Sequence, residues 1–221
     1  FTQEGGPLFR KDLNDYTKIR ILESIKSQLK NFSFYVEFSP NVSNELIQDF
    51  TNYSIQKSKT SIIDLGLGEE LLWKGLESRA RNMIRKSTKS GLFANKKEIS
   101  ELWINSFYSL LEGVYRRQRR KPPHSFRFYQ NLLNLKKDEV FCIDISKNNK
   151  MIAGSIFLKN QNSLIFLSGA SNREANKLSA PSLIQWNAIK YGIEKNFKYY
   201  DMGGLGVASI DKFKKSFGGV T

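Results

Sequence analysis

Three apolar runs in the second half of the chain, residues 140–146, 151–158 and 163–168, are separated only by the polar tetrads KNNK and KNQN. Runs of this length, rich in β-branched and aromatic residues and joined by turns too short for a crossover, predict an antiparallel β-meander. The flanking segments then settle the class. Residues 97–118 carry Leu102, Ile104, Phe107, Leu110, Leu111 and Val114 at helical spacing, and 125–136 read as further helix. Ala180-Pro181 precedes a helix over 182–195, where proline fits the first turn. Residues 197–202 read as a buried strand running into Gly203-Gly204. The expected class is α/β (α+β), a mixed sheet flanked by helices.

The first 65 residues alternate in the same way. Residues 11–30 place Tyr16, Ile19, Leu22, Ile25 and Leu29 at helical spacing, with Asp12 or Asn14 as the cap. Residues 32–38 read as a strand ending at Ser39-Pro40, 44–50 as a short helix and 60–65 as another strand. The breaker Gly66-Leu67-Gly68 follows, and the domain boundary is placed there, giving segments 1–65 and 66–221.

Charge changes at the same point. Residues 1–65 hold 8 Lys+Arg and 8 Asp+Glu, whereas 66–221 hold 27 against 13 and so carry the whole net charge of +14. Such asymmetry implies a polyanionic partner: nucleic acid, anionic lipid headgroups or a phosphorylated small molecule. A lysine-rich surface kept only for solubility would scatter its charge, and this charge is clustered. A helix expected over residues 69–90, with Leu72, Leu76, Met83 and Ile84 inward and Trp73 nearby, carries Arg81, Arg85 and Lys89 every four residues, joined by Arg79 and Lys86. Like charges at that spacing repel, so helix propensity does not account for the row. Further on, Arg116, Arg117, Arg119, Arg120, Lys121 and Arg127 put six cations into twelve positions around Pro122-Pro123.

Several chemistries are excluded. One histidine, His124, and one cysteine, Cys142, supply no ligand cluster, so neither a metal nor another cofactor is expected. Cys142 lies in the apolar stretch EVFCIDI and reads as a small buried hydrophobe in a reducing compartment. No GxxxxGK[ST] phosphate loop occurs, and Gly203-Gly204-Leu205-Gly206 matches a dinucleotide turn only loosely. No run approaches the ~20 apolar residues of a membrane helix, and the opening FTQEGGPLF reads like the middle of a protein.

Glycine and lysine concentrate at the C-terminal end. Gly203 and Gly204, directly after a strand, permit positive φ or close approach of another molecule. Phe213-Lys214-Lys215-Ser216-Phe217-Gly218-Gly219 frames two cations with two aromatics. Those rings are expected to hold the lysine stems, and a desolvated ammonium stabilises developing negative charge far better than an exposed one.

These residues also carry a resemblance. Trp73-Lys74-Gly75-Leu76, with Ser78 through Lys86, resembles the "W..L....R..IR.A.K.G" segment of FemABX-type transferases. Ala180-Pro181-Ser182-Leu183 through Lys190 resembles their "P..L...W.AI" helix, and Tyr200-Asp201-Met202-Gly203-Gly204 and Phe213–Gly219 resemble "YD.GG" and "FK..FGG". Gly5-Gly6-Pro7 resembles a "GGP" late in the family's first lobe. The resemblance implies two GNAT-like lobes: 1–65 as the back part of the first, 66–221 as the second. It implies acyl transfer to an amine, from aminoacyl-tRNA onto the stem peptide of a UDP- or lipid-linked peptidoglycan precursor. Related enzymes with the same fold use acyl-CoA instead. A non-catalytic basic module for RNA or a membrane surface is the third expectation. The lysine of "FK..FGG", here Lys214 beside Phe213, would meet the acyl group and stabilise a tetrahedral oxyanion with no covalent enzyme intermediate. Arg79, Arg81, Arg85, Arg116, Arg117 and Arg120 would contact phosphates, and Tyr200, Asp201, Gly203, Gly204, Lys215 and Phe217 would complete the substrate site. Asp201 and Glu112 are the candidates for a general base. The coiled-coil arm of some members is not expected, because 68–91 read as a single helix. A cytoplasmic location, with peripheral contact at the inner membrane face, follows from the same resemblance.

Overall fold

The computed structural model describes residues 13–29 and 59–220, which fall in two compact units, Phe1–Lys57 and Ser58–Thr221. In the first, α1 spans Asp15–Leu29. Of the two expected caps Asn14 serves, its side chain accepting from Thr17 N at 2.8 Å. The strand expected over 32–38, the helix over 44–50 and Gly5-Gly6-Pro7 lie outside the described residues.

The second unit is built on one six-stranded sheet. Its strands are β1 (Thr60–Asp64), β2 (Asn95–Lys97), β3 (Val140–Lys147), β4 (Lys150–Lys159), β5 (Ser163–Ser171) and β6 (Tyr199–Gly204). They are ordered β1-β6-β5-β4-β3-β2 across the sheet. β3, β4 and β5 form the expected meander, and its turns are tight enough that Asn148 and Asn149 both take positive φ. β5 and β6 are parallel, connected by a crossover through α6 (Arg173–Lys177) and α7 (Ala180–Glu194).

The boundary expected at Gly66 does not hold for this sheet. β1, assigned by the charge step to the first segment, pairs antiparallel with β6 from Asp64↔Tyr199 to Thr60↔Gly204. Its ladder hydrogen bonds place it in the second unit, whose start at Ser58 precedes the charge step.

Period-two alternation sorts the β3 side chains between two cores. Phe141, Ile143 and Ile145 pack with Ile84 and with Leu183, Ile184 and Ile189 of α7. Val140 and Cys142 pack with Trp103, Ile104, Phe107 and Leu111 of α4 (Glu101–Arg117) and with Tyr129 of α5 (Phe126–Asn131). Helices therefore cover both faces, and α7, squeezed against the sheet, is apolar almost all round. The helix expected from residue 97 begins at Glu101 instead, because Asn95–Lys97 pairs with β3 as the edge strand and Ser100 caps the helix that follows.

The single helix expected over 69–90 is two: α2 (Gly68–Gly75) and α3 (Ser78–Lys89). Leu76 and Glu77 are extended between them, and Glu77 N donates to Ser216 O at 2.9 Å rather than into a helical turn. The break docks the C-terminal motif. Arg81 secures it by donating to the carbonyls of Lys74, at 3.1 Å, and Leu76, which α2 leaves open at its end.

Candidate active site

The parallel strands β5 and β6 are in register over only three positions, Ser163↔Tyr199 to Ile165↔Asp201. Beyond them β5 continues to Ser171 and β6 to Gly204, so the strands part and leave a wedge in the sheet. Local chemistry shapes the β6 side. Asp201 Oδ1 accepts from Gly203 N at 2.7 Å, closing an Asx turn, and Gly203 takes φ 83. The loop is then tied to α8 (Ala208–Lys215): Asp211 accepts from Gly206 N at 3.0 and 3.1 Å and from Val207 N at 3.3 Å.

α8 returns Lys214 to the mouth of the wedge. The residue is only 7% exposed, and its Nζ donates to Gly204 O at 2.6 Å. A methyl group on Gly203 would lie 3.5 Å from this Nζ and 3.6 Å from Phe166 O of β5, so the ammonium sits between the parting strands. An ammonium has three donors, and among the described residues Gly204 O takes one. Burial lowers the Lys214 pKa below the ordinary lysine value, while Asp201 and Asp211 pull in the opposite direction. The result is a partly desolvated cation with donors left for an oxyanion.

The other expected site residues divide. Asp201, Gly203 and Gly204 lie at the wedge. Phe213 and Phe217 do not bracket both lysines: their rings pack edge to face at 5.3 Å, Phe217 is buried in the core, and Lys215 is exposed. Tyr200 is also fully buried, and its hydroxyl donates to Gln185 Oε1. Gly218-Gly219 serves the chain end. Val220 pairs with Ile62 of β1 through hydrogen bonds of 2.8 and 2.9 Å, and a methyl group on Gly219 would fall 2.3 Å from Ser61 Oγ.

The arginines separate as well. Arg79 and Arg85 are exposed, Arg85 with its guanidinium 5.5 Å above Trp73, while Arg81 is spent on the α2 carbonyls. Arg116, Arg117 and Arg120 are exposed around the end of α4, and Arg117 reaches Ser171 O at 3.4 Å, at the end of β5. Of the base candidates, Asp201 holds the Asx turn and Glu112 lies exposed on α4. Cys142 is buried with its thiol pKa pushed up, and His124 stacks on Phe128 at 4.1 Å. Sequence reading missed Asp211; an acid in the first turn of a helix, reaching back to preceding amides, is the signal that marks it.

Residues 136–221 match the FemAB family. The structure is similar to that of FemX, at 14% identity over 94% of this chain and 74% of that one, with a TM-score of 0.74. It is also similar to L-PGS from Bacillus licheniformis, at 11% identity over 96% and 71%, TM-score 0.65. A tandem GNAT protein from the clavulanic acid biosynthesis pathway aligns at 10% identity over 85% and 57%, TM-score 0.53. No curated protein matches the sequence. The FemABX resemblance is thus borne out over residues 136–221, and the mixed-sheet class with it. Among the described residues no helix is long and apolar enough to cross a membrane.

Proposed function

We propose that this FemAB-type transferase moves an aminoacyl group from aminoacyl-tRNA to the stem-peptide amine of a UDP- or lipid-linked peptidoglycan precursor. The observation that carries the reading is the buried Lys214 ammonium between the parting strands. The acceptor amine attacks the ester carbonyl, forming the C–N bond and a tetrahedral oxyanion that Lys214 stabilises without proton transfer. Collapse breaks the C–O bond, and the proton lost by the amine goes to the departing ribose hydroxyl. Exposed Arg79, Arg85, Arg116 and Arg120 supply the field that gathers two polyanionic substrates. In this reading the second unit is the second GNAT-like lobe, the preceding residues are the back of the first, and the reaction takes place in the cytoplasm or at the inner membrane face.

The test is a pair of donors. The 221-residue chain is incubated with a UDP-linked muropeptide and either labelled aminoacyl-tRNA or labelled acetyl-CoA. Label moves to the muropeptide from the tRNA alone if the reading is right. Transfer from acetyl-CoA but not from tRNA overturns it.

A further inference from the structure

Two cavities flank α3, and neither belongs to the wedge. One, of about 390 Å³, lies between α3 and α7 and is lined by Trp73, Arg85, Lys89, Trp186, Asn187 and Lys190 among others. The other, of about 530 Å³, opens on a different side of α3, where Ser78, Arg79, Asn82, Lys86 and Ser179 face it. Each is lined by cations, and no carboxylate lines either. The α3 charges are therefore dealt to two sides: Arg85 and Lys89 to the first cavity, Arg79 and Lys86 to the second.

The first cavity also has an aromatic wall. Trp73 packs against Trp186 with ring centroids 4.9 Å apart, and the Arg85 guanidinium lies over Trp73. An exposed guanidinium beside an indole is a surface on which a nucleobase can stack, and Lys89 and Lys190 in the same lining suit a phosphate. A single small anion would satisfy one cavity. Cations on both sides of one helix suit a ligand with successive phosphates, which crosses the helix and enters both.

We infer that α3 is the crossing point of a single-stranded RNA segment, with a base on the Arg85–Trp73 platform and flanking phosphates on Lys89 and Lys190 on one side and Arg79 and Lys86 on the other. The inference rests on the reading that the donor is an RNA, and it assigns that RNA a contact away from the reacting carbonyl.

The experiment is binding, read without transfer. A short single-stranded RNA oligonucleotide of mixed sequence is titrated into the full chain while tryptophan fluorescence is followed. Trp73 and Trp186 line the cavity, whereas Trp103 lies in the other core and adds a constant background. RNA should quench the signal, and log Kd should depend on log salt with a slope of about 0.7 per phosphate contacted. Arg85→Ala should weaken binding roughly 5- to 150-fold through the lost stack. Lys89→Ala with Lys190→Ala should lower the slope by about 1.4. These side chains are surface cations, and a circular dichroism spectrum confirms that each variant is folded. Unchanged affinity and slope in both variants overturn the inference, as does quenching by phosphatidylglycerol vesicles but not by RNA. RNA binding that responds to these variants in a chain that transfers nothing from aminoacyl-tRNA leaves this inference standing and removes the proposed function. Transfer from tRNA that is indifferent to them does the reverse.

Discussion

The C-terminal lysine and the α3 basic row are both dense in positive charge, yet they hold it in opposite ways. Lys214 is 7% exposed and fixed to Gly204 O, with Asp201 and Asp211 as its charged neighbours. Arg79, Arg85, Lys86 and Lys89 are exposed. A cation withdrawn from water acts strongly on charge developing beside it, because little solvent reorganises in between. An exposed cation is screened within about 8–10 Å by salt and can gather a polyanion but not stabilise a transition state. Under the proposed function, burial suits Lys214 to the chemistry and exposure suits the α3 row to recruitment, although both are written as basic residues in the sequence.

Lys214→Met carries the largest expected effect. The variant should lose about 10²- to 10³-fold in kcat, the loss typical of removing one oxyanion donor. Its fold should be unharmed, since methionine fills similar space without a buried charge. The pH dependence sharpens the point. Because the folded pKa of Lys214 lies below 10.5, the unfolded chain binds more protons between those two values. Across that window stability should rise with pH, whereas activity, which needs the ammonium, should fall. Rate–pH and melting–pH profiles measured on one sample check both signs. A parallel fall of the two would show that unfolding, not deprotonation, ends activity.

Much of this was legible beforehand, for identifiable reasons. The meander follows from apolar runs joined by short polar turns and α7 from proline in a first turn, which are local signals. The break between α2 and α3 is not local: Glu77 N leaves the helix for Ser216 O, a partner far along the chain. Arg81 reads in the sequence like its neighbouring arginines, yet it satisfies carbonyls at the end of α2 that only that break leaves open. The lysine pair was legible as a motif, but which lysine turns inward depends on where α8 places it. Tyr200 and Phe217 belong to motifs of the site and are nonetheless core residues, fully or almost fully buried.

Gly219→Ala probes the scaffold that seats Lys214 rather than the charge itself. The added methyl would sit 2.3 Å from Ser61 Oγ and 3.3 Å from Ile62 O, so the chain end must move off β1. Overpacking of this kind costs about 1–3 kcal/mol, measurable by urea unfolding. kcat should fall less than in Lys214→Met, because the atoms the methyl group meets, Ser61 Oγ and the Ile62 backbone, take no part in the bond from Nζ to Gly204 O. A kcat loss as large as that of Lys214→Met, at unchanged stability, would mean that the turn touches substrate directly.

Lys215→Met carries the smallest expected effect and tests the division most directly, because it changes the neighbouring residue of the same helix. The side chain is exposed and makes no hydrogen bond or ion pair among the described residues. A surface change of that kind shifts stability by no more than about 0.5 kcal/mol. It should leave kcat within about twofold and alter only the salt dependence of substrate capture, through one cation fewer. The kinetic split separates the two lysines: Lys214→Met lowers kcat at every ionic strength, whereas Lys215→Met raises KM at low salt and nothing at high salt. If Lys215→Met lowered kcat as far as Lys214→Met, burial would not be what distinguishes them, and the reacting carbonyl would have to lie on the exposed side of α8.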